Sequence, residues 1–431
     1  MSGIAGPGQG RRVSGFQVTV LSDASPVARE RTLLWLLAAV QFTHVVDFMM
    51  LMPLGPLLMQ RMDLSATRFG ALVSAYTLAS AAMGVLGVFW LDRLERKRTL
   101  LMLYAGFITA TLLCGAATGP VGLLLARTVA GSCAGLMGAV VIAIVSDVVP
   151  AERRGQAIGT VMTAYALSAV AGVPLGLALA NQWGWRAPFV VLAGLAGLVW
   201  LLLLRFLPRV DGHLARSAPS LMPADTRAPS SVFTPRLALG WGLTFTVVFA
   251  SFLLIPYLGA FMVGNLGLSL TDLPWVYLAG GAATLVSSRW IGRLADRLGP
   301  SRVLAGLLVA TMAPHLLFTH LPASPLPVVA AVFVLFMTLT SGRAIPTMAL
   351  VASRVPPSLR GRYLAVNMAA SDGASGLAAW MGGLLLSTAP DGALIGFGPL
   401  GWLAVALSTL SLGLLWVFDG RAARLGATPT P

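Results

Sequence analysis

A chain of 431 residues that is 57% hydrophobic and only 10% charged, with a mean hydropathy of +0.84, falls outside the range of soluble domains and reads as a polytopic membrane protein. The formal charge of +14 does not call for nucleic acid: with the N-terminus inside, 24 of the 29 Lys and Arg fall in tails or even-numbered cytoplasmic loops, three (Arg61, Arg68, Arg186) fall outside and two (Arg127, Arg343) lie within spans. That is the positive-inside pattern, and it points to anionic lipid heads as partners. The single lysine, Lys97, follows Arg96, which excludes a G-x-x-x-x-G-K-[ST] phosphate loop and an ATP-driven pump on this chain. Cys114 and Cys133 both sit in apolar runs, which argues for free packed thiols over a disulfide or metal pair. No cofactor and no metal are expected.

Residues 1–31 carry four arginines but no short apolar core followed by a small-residue cleavage site, which predicts a cytoplasmic tail. Twelve apolar runs follow, near 32–58, 68–91, 98–118, 120–148, 155–180, 186–207, 237–262, 272–291, 301–321, 325–352, 361–388 and 393–418. Each can supply the roughly 20 helical residues that cross a hydrocarbon core, and each is too long for the alternating ~10-residue strands of an outer-membrane barrel. The Pro-, Ser-, Ala- and Arg-rich stretch 208–236 reads as a flexible cytoplasmic linker between one six-span bundle in 32–207 and another in 237–418, with a cytoplasmic tail at 419–431.

The halves repeat. Asp92 in VFWLDRLERK (88–97) and Asp296 in GRLADRLG (292–299) stand 204 residues apart, and VPAERRG (149–155) and VPPSLRG (355–361) stand 206 apart. Two matches at nearly one offset predict a parallel repeat of six helices each. The chain resembles the major facilitator superfamily, and within it the proton-linked drug exporters that include arabinose-efflux-like permeases. The resemblance covers roughly residues 32–418. It rests on Gly292, Asp296, Arg297, Gly299 and Arg302 in a G-x-L-A-D-R-x-G loop, on Arg127, Gly131 and Gly135 in a fourth-helix motif, and on AGVPLG (171–176) with GWRAPF (184–189). It implies an all-α membrane fold of twelve transmembrane helices in two six-helix bundles. It also implies a conformational latch that braces the outward-facing state, formed by Asp92, Arg93 and Arg96 in the first charged loop, Gly292, Asp296, Arg297 and Gly299 in the second, and Asp147, which completes the network with Arg96. The first loop departs from the pattern, with Val88 and Glu95 at the two glycine positions.

Ionisable groups inside spans are costly, and Asp47, Arg127, Arg343 and Asp372 are therefore functional candidates. Gln41, His44 and Asp47 follow at intervals of three, within an arc of about 120° on one helix face. His44 alone reads as a packed histidine; beside Asp47 it becomes a candidate proton site. Arg127, Gly131 and Gly135 share a stripe in which the glycines permit close helix approach and the guanidinium faces inward. The stripe alone would mean packing, but a buried arginine needs an acid or water, and the resemblance nominates Asp47. Asn367, Ser371 and Ser375 form a polar stripe near Asp372 that could equally serve interhelical hydrogen bonding. Arg343, close to Pro346, could line the cavity or hold an anionic substrate. Gln41, Tyr76, Tyr165, Trp241, Tyr257, Tyr277 and Asn367 are the remaining cavity candidates, in a pocket that methionines make adaptable.

These readings converge on a monomeric, non-enzymatic secondary transporter in a bacterial cytoplasmic (inner) membrane, multi-pass with both termini cytoplasmic, whose partners are protons, a small organic molecule and lipid. Proton-coupled efflux is the leading expectation, an uptake symporter the alternative, and a non-transporting receptor on the same fold the second alternative.

Overall fold

The computed structural model describes residues 26–87, 89–150, 152–210, 234–356 and 359–425. Val88, the N-terminal tail to residue 25, most of the linker (211–233) and residues 426–431 lie outside the described residues, as does the Asp92 side chain.

The described residues are helical almost throughout, because in hydrocarbon a backbone must satisfy its own N–H and C=O groups. The first half comprises α1 (Pro26–Met50), α2 (Gly55–Met62), α3 (Ala66–Gly87), α4 (Arg96–Ala116), α5 (Pro120–Val148), α6 (Arg154–Leu167), α7 (Val173–Trp183) and α8 (Ala187–Phe206). The second comprises α9 (Pro235–Phe252), α10 (Leu258–Gly264), α11 (Leu273–Leu298), α12 (Pro300–Ala310), α13 (Met312–Thr319), α14 (Leu326–Gly342), α15 (Ala344–Ser353), α16 (Arg360–Leu385) and α17 (Phe397–Leu425). A short antiparallel pair, β1 (Ser387–Thr388) with β2 (Leu394–Ile395), precedes α17 and was not foreseen from sequence.

Ten segments are long and apolar enough to cross a membrane. The two that complete the twelve, α11 and α16, have 26 residues each and hence a length of about 39 Å, but they are more polar. Their polarity has a use: both lie where the two halves meet. Five expected single spans are broken: 32–58 opens between Met50 and Gly55, at Pro53, and the other four breaks fall four residues before a proline, whose ring removes an N–H and collides with the carbonyl of residue i−4. Pro256 breaks the helix after Phe252, Pro314 after Ala310 and Pro346 after Gly342, while Pro174 stands four residues past Val170 in the π-helical turn Ser168–Gly172. Two tail boundaries shift as well, since α1 starts at Pro26 and α17 runs to Leu425.

Exposed tryptophans mark the two levels at which an amphipathic ring meets a membrane surface. Trp35, Trp290 and Trp416 lie toward one end of the bundle, and Trp183, Trp275 and Trp402 toward the other.

Among the described residues the contacts between the halves gather on one side. Thr67 Oγ1 donates to the Gly383 carbonyl at 2.8 Å, Asn181 Nδ2 to the Leu270 carbonyl at 2.7 Å, and Gly259 packs on Pro53 and Pro56. Further in, Gly281 lies on the backbone of Ala169 and Val170, and Gly376 against Thr77 and Leu78. The α3/α16 seam ends at Ser80 and Asp372; beyond it Val85 and Leu86 are exposed. The halves are therefore shut at the end holding the α2–α3 turn and parted at the end holding the charged loops.

Candidate functional site

Asp47 and Arg127 meet in the interior of the first half, behind Tyr76. Arg127 Nη1 donates to Asp47 Oδ2 at 2.6 Å and to the Asp47 carbonyl at 3.2 Å, with side-chain exposures of 0% for the acid and 1% for the arginine. The guanidinium also sits 4.3 Å above the Tyr76 ring. The glycine stripe builds this arrangement. A Cβ on Gly131 would fall on the Tyr76 backbone and one on Gly135 on the Ser80 backbone, so α3 lies flush against α5 and its tyrosine is carried under the arginine. On the other flank Gly172, in the π-turn, admits Val46 of α1, and Ser168 Oγ donates to the Phe42 carbonyl at 3.3 Å.

The pair is incompletely satisfied. Asp47 Oδ1, Arg127 Nε and the nearby Thr111 hydroxyl have no hydrogen-bond partner among the described residues. Removing one partner of such a buried pair would strand the charge of the other.

His44 does not bind Asp47. Its Nε2 lies 2.8 Å from Gln41 Oε1, which assigns the ring N–H to Nε2, and its carbonyl accepts the Tyr76 hydroxyl at 3.3 Å. The three expected residues on α1 thus divide into a polar couple, Gln41 and His44, and an ion pair at Asp47. Asp372 accepts a hydrogen bond from Ser80 Oγ at 2.6 Å across the halves. Tyr165, 37% exposed, lies within electrostatic range of Asp372, as does Tyr76, and so the two intramembrane acids belong to one neighbourhood. Asn367 is buried with an unpartnered Oδ1. Tyr277 stacks edge-on with Phe333 at 4.9 Å and leaves its hydroxyl unpartnered.

Three cavity expectations need correction in this conformation. Arg343 is fully buried within the second half, donating to the Thr340 carbonyl and to the hydroxyls of Ser251 on α9, Thr311 between α12 and α13, and Ser408 on α17. It faces the core of its own bundle, because the hydroxyls that match its donors lie there. Tyr257 is fully buried in the seam, bonded to the Ala379 carbonyl and packed on Phe69. Trp241 stacks on Tyr363 at 5.1 Å and donates to its carbonyl at 3.4 Å, a contact between α9 and α16.

Both charged loops also differ from expectation. GRLADRLG is not a connector: Gly292 to Leu298 are the last turns of α11, and only Gly299, at φ +88°, makes the turn. Gly292 has nothing within 4 Å of an added Cβ, and Asp296 and Arg297 are exposed. In the first loop Glu95 caps α4, accepting from the amides of Lys97 at 2.9 Å and Arg98 at 2.8 Å, and also from Val210. Arg96 is buried and reaches Asp147 at 3.4 Å and the Leu91 carbonyl at 3.1 Å, while Arg93 is exposed.

Residues overlooked in the sequence include Ser80, Thr111 and the aromatic stack Tyr76–Phe48–Phe252, with centroids 5.6 and 6.1 Å apart, which crosses from one half to the other. Ser80 lies four residues from Tyr76 and could have been found as its neighbour on one helix face. Phe48 and Phe252 carry no signal that separates them from ordinary apolar residues. Among the described residues no cluster of three His, Cys, Asp or Glu could hold a metal ion.

Twelve spans in two bundles, with a buried ion pair inside the first half, define a membrane transporter and not an enzyme. The profile of the Major Facilitator Superfamily matches residues 37–250 and 240–431, and the chain belongs to that family. It is 28% identical over 365 residues to the uncharacterized MFS-type transporter YceJ of Bacillus subtilis, covering 84% of this chain and 92% of that one. It is 29% identical over 291 residues to a chloramphenicol efflux pump of Mycobacterium tuberculosis, covering 67% and 69%. A probable sugar efflux transporter of Mannheimia succiniciproducens is 26% identical over 57% of this chain and 60% of its own length. Among solved structures, a bacterial homolog of the human lysosomal transporter Spinster, inward-facing and occupied, superposes with a TM-score of 0.74 at 17% identity, covering 95% of this chain and all (100%) of that one. A D-xylose-proton symporter gives 0.69 at 16% identity over 90% and 97%.

Proposed function

We propose that this transporter exports a small organic molecule in exchange for protons, by alternating access, as a monomer in the bacterial cytoplasmic membrane with both termini cytoplasmic. The Asp47–Arg127 pair carries the reading. It is charged and buried within the first half, against the Tyr76 ring, so a proton on Asp47 would cancel one partner, break the contact and free the guanidinium to take another. Binding of substrate and of proton would then compete for one neighbourhood, which is the condition for exchange. Two relatives named as efflux transporters support the outward direction. In this orientation the parted end faces the cytoplasm, the chain stands ready to load cargo, and the exposed Asp296 belongs to a latch that engages in the opposite state.

Substrate added to proteoliposomes tests the reading by the sign of the pH change in the lumen: exchange moves protons against substrate, whereas an uptake symporter on the same fold moves them with it. Counterflow against a panel of amphenicols, sugars and lipophilic cations would identify the cargo class.

A further inference from the structure

We infer that Ser80 and Asp372 form a second proton-responsive site: a lock across the seam that holds the shut side closed while Asp372 is ionised and releases it on protonation. The inference deepens the proton-coupled reading above and rests on it for its purpose.

Among the described residues three hydrogen bonds join the halves. Thr67 to Gly383 and Asn181 to Leu270 end on carbonyls, which no physiological pH alters. Only the bond from Ser80 Oγ to Asp372 Oδ2 ends on a titratable group, and its 2.6 Å length lies in the range of charge-assisted O–H···O⁻ bonds, roughly twice as strong as neutral ones. It is also the innermost bond of the seam, at the edge of the gap, where Asp372 is partly exposed and protons can reach it.

The surroundings leave this hydroxyl as the main protein partner of the carboxylate. No Arg, Lys or His side chain stands within ion-pair distance of Asp372 among the described residues, for the ion pairs formed are Arg96–Asp147, Arg127–Asp47, Arg153–Glu30 and Arg354–Asp419. The ionisable groups around Asp372 are Tyr76 on α3 and Tyr165 on α6, with Asp47 and Arg127 behind Tyr76. On its own helix, Ser375 bonds the Asp372 carbonyl and not its carboxylate. The seam is tight here, with Gly376 against Thr77 and Leu78, so Ser80 cannot follow Asp372 if the halves part. Parting them with Asp372 ionised would strip a carboxylate of its donor in a low-dielectric setting; parting them with Asp372 neutral forfeits only a weak bond. The lock thereby holds an empty, deprotonated carrier on one side and suppresses futile turnover that would dissipate the proton gradient.

The test reads the separation of the shut ends directly. Spin labels at Arg61→Cys and Ser269→Cys, exposed positions on the two halves at that end, are placed in a Cys114→Ala, Cys133→Ala background, reconstituted in nanodiscs, and measured by electron–electron distance across a pH series. With Ser80 and Asp372 intact, the long-distance population should grow as pH falls. Ser80→Ala and Asp372→Asn should raise it ~10-fold at high pH and flatten its pH dependence, whereas Ser80→Thr, which retains the hydroxyl, should behave as the parent. Parent-like pH dependence in both Ser80→Ala and Asp372→Asn, with melting confirming the fold, overturns the lock. Asp47→Asn separates the two claims: it should remove proton-driven transport and leave the pH dependence of the distances in place. If transport proves independent of protons while the distances still respond through Ser80, the lock stands and the coupling assignment falls.

Discussion

Asp47 makes one close contact with Arg127 and leaves its second oxygen without a partner, so the consequences of changing it depend on what replaces the carboxylate. Asp47→Asn keeps shape and an acceptor but cannot load a proton, and it should abolish pH-driven transport in proteoliposomes while permitting energy-independent exchange. Asp47→Ala strands a buried guanidinium and should cost about 3–5 kcal/mol of stability, visible as a lowered melting temperature. Arg127→Lys should also lose coupling, because an ammonium lacks the planar guanidinium that lies over the Tyr76 ring while one nitrogen bonds Asp47. Unimpaired proton-driven transport in Asp47→Asn and Arg127→Lys together would move the proton site elsewhere. Arg343 is the contrasting case. Its donors are matched by hydroxyls inside one bundle, so Arg343→Gln should lower melting temperature by a few degrees and leave apparent substrate affinity unchanged; a large affinity loss would return it to the cavity.

Among the elements, α3 and α5 are held at backbone contact by Gly131 and Gly135, and Gly131→Leu should prevent stable folding because Tyr76 has no room to yield. Gly292→Ala has open space in this conformation and should fold normally. The two charged segments should also differ in kind. The first is already tied down, by Glu95 capping α4 and by Arg96 reaching Asp147, whereas Asp296 stands free at the end of α11. If Asp296 engages only when this end closes, Asp296→Asn should shift the conformational balance toward the present state by roughly tenfold and slow turnover, with little change in substrate affinity. Asp92→Asn should do the same more weakly. Equal accessibility of gap cysteines in the parent and in Asp296→Asn, at equal expression, would reduce the segment to a topological anchor.

For the whole molecule, orientation follows from charge and conformation from the seam. Cysteines placed in the 208–236 linker should react with impermeant reagents only from the cytoplasmic side, because its arginines resist translocation. Val85→Cys should be reached from that same side, since the halves are parted there. Labelling of the linker from outside intact cells would invert the topology and with it the assignment of the open end.

The number of spans, the repeat and the positive-inside pattern were legible in one dimension because the bilayer acts as a uniform solvent: it demands runs of about 20 apolar residues and penalises charge wherever it faces lipid. Helix breaks were readable in principle from Pro256, Pro314 and Pro346, since a proline disrupts its own helix whatever its neighbours. Asp47, Arg127 and Asp372 announced themselves by their expense. Asp47 was also nominated there as the partner of Arg127, but the other partners were not. Whether His44 turned to Asp47 or to Gln41, whether Arg343 faced the gap or its own bundle, and which side of the seam was shut depended on how α3, α5, α9 and α16 rotate and approach, which is set by the sum of many small contacts between residues far apart in the chain. Ser80 shows the difference most clearly: as a letter it is one more small polar residue in an apolar run, and it acquires a role only because tertiary packing sets it opposite a carboxylate 292 positions away.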